Sequence, residues 1–259
     1  MAHFHLILCL LAALILPSYS QKILRILPGD AAISNGNAAA NNNGLFCDSW
    51  RLSVETNNAG YWATIPARCL RYVEAYMNGH RYVSDSAVVA ADASYFARDI
   101  NIAGDGKDAW IFDIDETLLS NLPYYRDVGF GSEIFNETSF DEWVDSAKAP
   151  FLPASLKLYK ELQRLGFTLV LLTGRDEAQR NATEKNLLFA GYRNWERLIL
   201  REASDVGKPA VIYKSERRAQ LKAEGFRIHG SSGDQWSDLF GPPMASRSFK
   251  LPNPMYFIK

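Results

Sequence analysis

The 259-residue sequence has only three cysteines and four histidines, so little in it suits a soft-metal centre. His80 and His229 have no partners at ligand spacing and read as structural. Neither charge sign is in excess. Lys and Arg number 28 against 29 Asp and Glu, a net charge of -1, so no general attraction to nucleic acid or to an anionic membrane is expected. The glycine-rich loop G-x-x-x-x-G-K-[ST] is absent, which excludes a P-loop ATPase. No internal repeat is visible, and beyond the first twenty residues no apolar run is long enough to span a bilayer, which takes about 20 residues.

What is present begins with that first segment. "FHLILCLLAALIL", Phe4 to Leu16, is followed by "PSYS", which places Ser18 and Ser20 at small-residue cleavage positions. Residues 1–20 are therefore expected to be a signal peptide, leaving Gln21 as the mature N-terminus and sending the protein to the extracellular space or the vacuole. Residues 21–46, with the low-complexity patch "NGNAAANNNG", are expected to be a flexible arm. Loss of the signal removes Cys9 and leaves Cys47 and Cys69, which should pair in an oxidising compartment. Closing that loop contributes roughly 3 kcal/mol in the chain-entropy model. Asn136 and Asn181 open glycosylation sequons.

From residue 47 to 259 the patterning is that of one domain. A short strand is expected within Asp48–Thr56, then helices over Thr64–Gly79 and from Ser84 onward. "WIF" in "WIFDIDETLLS" reads as a buried strand. An aromatic-rich segment over about 120–153 has little period and reads as a lid inserted after that strand; its Tyr124, Tyr125, Phe130, Phe135, Phe140 and Trp143 suit core packing or a cover over a site. Strands and helices then alternate. "PASLKLYKELQRLG" is a helix with Leu156, Tyr159, Leu162 and Leu165 on one stripe, and "FTLVLLTGR", "RLILR" and "FRIHG" are strands. This alternation predicts an α/β fold with a doubly wound, mostly parallel sheet, preceded by a helical segment.

Ligands in such sheets bind beyond the carboxyl ends of the strands, and the reactive residues fall there. Asp113 and Asp115 end the first strand, Thr173 and Arg175 the second, Lys214 opens the third helix and Asp234 follows the last strand. Buried carboxylates repel one another and need a cation. Oxygen-only ligands suit a hard ion such as Mg²⁺. Lys214, Arg175, Thr173 and the metal then offer positive charge and a donor to a tetrahedral anion, for which phosphate is the best fit. A carboxylate can serve as the nucleophile, and a second one two residues on can handle the proton.

"DIDET", "LLTGR", "YKSERR" and "GDQWSD" occur in the motif order of the haloacid dehalogenase superfamily. With "WIFDIDETLLSNLPYY", "LKLYKEL", "SGDQWSDL" and "SFKLPNPMYFI", the chain resembles the plant acid phosphatase and vegetative storage protein family from about Cys47 to its end. The resemblance implies a HAD-like Rossmannoid fold, with Asp113 as nucleophile and Asp115 as acid/base whose backbone carbonyl also meets Mg²⁺. Thr173 and Lys214 would hold the phosphoryl group, with Arg175 as a further contact. Asp234 would complete the Mg²⁺ ligands, supported by Asp238. Small phosphomonoesters would be the substrates, with neither nucleic acid nor membrane as partner, and a homodimer is one assembly it suggests. Two rival readings stay open: a storage glycoprotein with vestigial phosphatase activity, and a haloacid dehalogenase, against which the second aspartate of "DID" argues.

Overall fold

Trp110, Phe112, Leu169 and Leu171 turn to one face of a parallel sheet, while Ala109, Ile111, Val170 and Leu172 turn to the other. Alternate side chains of a strand point to opposite faces, so strands apolar at every position must be covered on both sides. The computed structural model describes residues 36–259, with side chains from 42 onward. The expected signal peptide and residues 21–35 of the expected arm lie outside the described residues.

In chain order, helices α1 (Gly36–Glu55), α2 (Leu70–Met77) and α3 (His80–Arg98) precede strand β1 (Asp108–Phe112). Helices α4 (Leu122–Asp127), α5 (Glu137–Asp145) and α6 (Pro153–Leu165) lead to β2 (Thr168–Asp176). The rest of the chain runs α7 (Arg180–Ala190), β3 (Arg197–Arg201), α8 (Ala210–Ala223), β4 (Arg227–Gly233), α9 (Trp236–Leu239) and β5 (Arg247–Lys250). The strand order is β3-β2-β1-β4-β5, all parallel. Residues of α3, α6 and α7 join the core on the Trp110 face, and Tyr213 and Leu221 of α8 cover the other. The doubly wound α/β fold expected from the alternation is the fold observed.

The sheet grows outward from β1 to β3, then the chain returns to the far side of β1 to lay down β4. The winding therefore reverses between β1 and β4, which opens a crevice at their carboxyl ends. Asp113 follows β1 and Asp234 follows β4, so both stand at that reversal.

Several elements differ from the sequence expectation. Asp48–Thr56 is not a strand: α1 runs through to Glu55, and its backbone already begins at Gly36 inside the expected arm. Helix propensity there is weak, and tertiary contacts hold the helix instead. Cys47 is bonded to Cys69, Trp50 packs edge-on to Trp62 at 5.4 Å, and Arg51 donates to Tyr72, Tyr76 and Asp85. The helix expected from Thr64 starts at Leu70 after a tight turn, and α3 starts at His80 rather than near Ser84. β4 extends to Gly233 through residues expected to be loop, and β5 was not expected.

The inserted segment forms α4 and α5. Tyr124, Tyr125, Phe130 and Leu152 bury against Ile65, Val73, Tyr76, Met77 and Met255, making a second core beside the sheet. Gly131 is required there, with φ +85° and the carbonyl of Met255 against the place a Cβ would take. Among the described residues no helix is long and apolar enough to cross a membrane.

Candidate active site

β1 ends in a fully buried run, and the next residue, Asp113, leaves the sheet while its N–H still donates to the Ser232 carbonyl at 3.0 Å. Lys214, expected to open its helix, sits in the second turn of α8, which begins earlier at Ala210. Its Nζ donates to Asp113 Oδ1 and to Asp238 Oδ1, both at 2.5 Å. Asp238 lies in α9 with Oδ2 accepting the Gln235 N–H at 2.9 Å, and it fits only because Gly233 has no Cβ to meet it. One oxygen from each of Asp113, Asp234 and Asp238 falls within 4.8 Å of the others. All three are buried, so this is a cluster of carboxylates with a single ammonium among them.

The electrostatics follow from that count. Burial pushes the Asp113 carboxyl well above the usual range; Lys214 opposes this, while Asp238, Asp234 and Asp115 add to it. Burial, then Asp238 and Glu116, push Asp234 up to about 7. Burial alone would lower the Lys214 ammonium, but Asp113 and Asp238 outweigh it and raise it. Three oxygen ligands so placed could hold a divalent cation.

Asp115 has a different setting. Arg175 grips it with Nε to Oδ2 at 3.0 Å and Nη2 to Oδ1 at 2.7 Å, and Asn121 Nδ2 donates to Oδ1 at 2.8 Å. Burial would raise its carboxyl, but Arg175 wins and holds it below the usual value. Arg175 also donates to Thr183 at 3.1 Å, so the guanidinium expected as a phosphate contact is committed to Asp115 and Thr183. Thr173 is buried with its hydroxyl accepting the Arg175 N–H at 3.2 Å.

Asp113, Asp115, Arg175, Lys214, Asp234 and Asp238 all line one cavity of about 420 Å³. Thr173 is not part of that lining, although Gly174 and Arg175 are. Phe135 from the inserted segment and Val206 from the loop before α8 stand at the mouth, 55% and 79% exposed. Within the insertion Tyr124 and Phe130 serve the second core, Phe135 lines the opening, and Phe140 does both.

A model of the HAD superfamily, subfamily IIIB (acid phosphatase), matches residues 34–259. The chain belongs to that subfamily. It is 54% identical over 214 residues to Acid phosphatase 1 of Solanum lycopersicum, covering 83% of this chain and 84% of that one. It is 39% identical over 215 residues to Vegetative storage protein 2 of Arabidopsis thaliana, covering 82% and 80%. In fold it is similar to the class C acid phosphatase from Bacillus anthracis, with TM-score 0.59 and 22% identity over 73% of this chain and 84% of that one.

In this acid phosphatase subfamily member, several residues at the site lie inside the quoted motifs without having been singled out from them. Glu116, the residue behind "DID", is fully buried with φ 51°, a left-handed backbone uncommon outside glycine. Its carboxylate accepts the Asn121 N–H at 2.5 Å and the Tyr256 hydroxyl at 2.7 Å. Burial, with Asp115 beside it, pushes its carboxyl up to about 8. Asn121 links the insertion to the site, because its Oδ1 accepts Trp143 Nε1 at 2.8 Å while its Nδ2 serves Asp115. Arg218, fully buried one helical turn beyond Lys214, donates to the carbonyls of Asp238, Phe240, Gly241 and Pro243 and so fixes the loop behind the carboxylates. Asn121 follows Ser120 in a largely apolar stretch, and Arg218 is one of several charges in "KSERRAQLK"; neither has a local pattern that sets it apart.

Proposed function

We propose that this chain is a Mg²⁺-dependent acid phosphatase of the secretory pathway, extracellular or vacuolar, that hydrolyses small phosphomonoesters through an aspartyl phosphate on Asp113. The observation that carries it is the convergence of Asp113, Asp234 and Asp238 within 4.8 Å of one another, with Lys214 on the first and third. Carboxylate oxygens without imidazole or thiolate suit Mg²⁺, and the burial of Asp113 and Asp234 beside other carboxylates, which raises both carboxyls, supports that reading. The side chains of Asp113 and Asp234 would hold the ion with the Asp115 carbonyl, and Asp238 would support them. The bound ion would supply charge neutralisation for the phosphoryl oxygens.

The chain's own groups then divide the work. Asp113 attacks phosphorus through a carboxylate oxygen, the bond from phosphorus to the leaving oxygen breaks, and Asp115 delivers a proton to that oxygen. Asp115 next takes a proton from water as the water attacks phosphorus, which frees inorganic phosphate and restores Asp113. Lys214 screens Asp113 from the substrate's charge, and the Thr173 hydroxyl, turned from the Arg175 N–H, would donate to a phosphoryl oxygen. Arg175 would be drawn partly to the phosphate. An arriving dianion beside Asp115 raises that carboxyl's proton affinity, opposing Arg175 and readying it as an acid at low pH.

A screen of phosphomonoesters on the mature protein, with and without Mg²⁺, tests this. Activity on several esters that disappears in chelator and returns with Mg²⁺ is expected; full activity in excess chelator would overturn it. The Vegetative storage protein relative favours a second reading, a storage glycoprotein with weak activity. Low turnover together with high abundance in tissue would select it. In either case Asn136 and Asn181, both exposed, are the proposed glycan sites.

A further inference from the structure

Beyond β5 the chain passes Asp234 without regular secondary structure, and Asn253 is buried in that run, 1% exposed. Its Oδ1 accepts the Met255 N–H at 2.9 Å, which fixes the orientation of the amide. Its Nδ2 therefore faces Asp234 and donates to Oδ2 at 2.7 Å. Gln235 Nε2 donates to the same oxygen at 2.7 Å. Both strong donors load Oδ2, and among the described residues Oδ1 has only the Thr117 hydroxyl at 3.4 Å. The carboxylate is thus held by one oxygen with the other left free to ligate.

Asn253 is itself braced from far along the chain. Its N–H donates to Glu55 Oε1 at 3.0 Å, and Glu55 Oε2 accepts Lys250 Nζ at 2.8 Å. Glu55 is the last residue of α1, the helix tied down by the Cys47–Cys69 bond. A continuous set of contacts joins the disulfide-tied helix to the carboxylate that follows β4.

We infer that Asn253, braced by Glu55, is a positioning residue that aims Asp234 at the metal, an inference that rests on the Mg²⁺ reading proposed above. Outer partners that orient a ligating carboxylate typically change metal affinity by about 10–100-fold when removed. The role lies in metal affinity and not in substrate contact, so it separates from general structural support.

Isothermal titration of Mg²⁺ into the chelator-stripped, disulfide-intact full chain tests it, with urea melts of each protein alongside. Asn253→Ala is expected to raise the Mg²⁺ dissociation constant about tenfold or more. The Mg²⁺ concentration for half-maximal activity should rise in parallel while the substrate KM at saturating Mg²⁺ stays put. Glu55→Ala should weaken Mg²⁺ binding less, and Glu55→Gln, which keeps the accepting oxygen, should restore most of it. Should Asn253→Ala fail to fold, the Glu55 pair decides. Folded Asn253→Ala and Glu55→Ala proteins that bind Mg²⁺ like the parent would overturn the inference and leave the phosphatase reading standing. A parent protein that binds no Mg²⁺ would overturn the metal reading and this inference with it.

Discussion

β1 opens on one buried aspartate, Asp108, and is followed by another, Asp113, 2% and 6% exposed. At the first, Oδ1 accepts Arg227 Nε and His229 Nε2, both at 2.7 Å, and Oδ2 accepts the Ala103 N–H at 2.7 Å. Arg227, with His229 and Ala103 behind it, holds the Asp108 carboxyl far below the usual range against the effect of burial. At the second, one ammonium is shared with another carboxylate and the carboxyl is pushed far up. The same side chain is matched by cations and donors where β1 opens and, just past its end, shares a single ammonium with a second carboxylate. Burial alone therefore does not mark a functional carboxylate; the balance of charge around it does.

The comparison can be broken most sharply at Asp113. Uncatalysed phosphomonoester hydrolysis is so slow that enzymes accelerate it by up to ~10²¹-fold, so Asp113→Asn should lose many powers of ten in kcat with every substrate. Rapid acid quench of the parent should trap a phosphoryl adduct on the Asp113 peptide; near-normal turnover by the variant would remove the proposed nucleophile. Asp115→Asn should lose less, about 10²–10⁴-fold on alkyl phosphates. Its loss should shrink on an activated aryl phosphate, and equal losses on both would deny it the proton-transfer role.

Asp108→Asn should do the opposite of Asp113→Asn. Arg227 and His229 lose an ionised partner, at a cost of about 2 kcal/mol in urea melts, while kcat on the folded protein holds. A drop in kcat at unchanged stability would erase the distinction between the two ends. The smallest effect expected is in the pH dependence of that difference. The folded Asp108 carboxyl titrates below its unfolded value, so its contribution is present above about pH 4 and fades as pH falls further. The parent and Asp108→Asn should therefore converge in stability on acidification, and a gap that widens instead would give the stabilisation another source.

The legible parts of the molecule were those whose signals are local. Tyr159 and Leu162 bury as the stripe on α6 required, Leu156 and Leu165 are half-buried against the same core, and Leu158, which the stripe did not name, buries beside them. Asp113, Asp115, Lys214 and Asp234 could be singled out because each stands at the end of a pattern, and the structure brings them to one cavity. α1 was illegible because its Asn- and Gly-rich start has weak helix propensity and its support comes from residues beyond it. Asn253 and Tyr256 could not be read for a related reason. Their partners Asp234, Glu55 and Glu116 lie 19, 198 and 140 residues away, and no spacing rule reaches that far. Arg175 was legible as a cation at the site, but its pairing with Asp115, 60 residues away, was not.

Lys214 and Arg218 stand four residues apart on α8, one gripping the carboxylate side chains and the other the backbone behind them. Each added residue turns a helix by about 100°, so a one-residue insertion or deletion between them would swing one cation out of the site. Exchanges at the exposed Glu216, Ala219 and Gln220 disturb neither grip. In evolutionary terms, "KSERR" is a ruler: descendants of this chain are free to rewrite the letters that face water, and are not free to change how many there are.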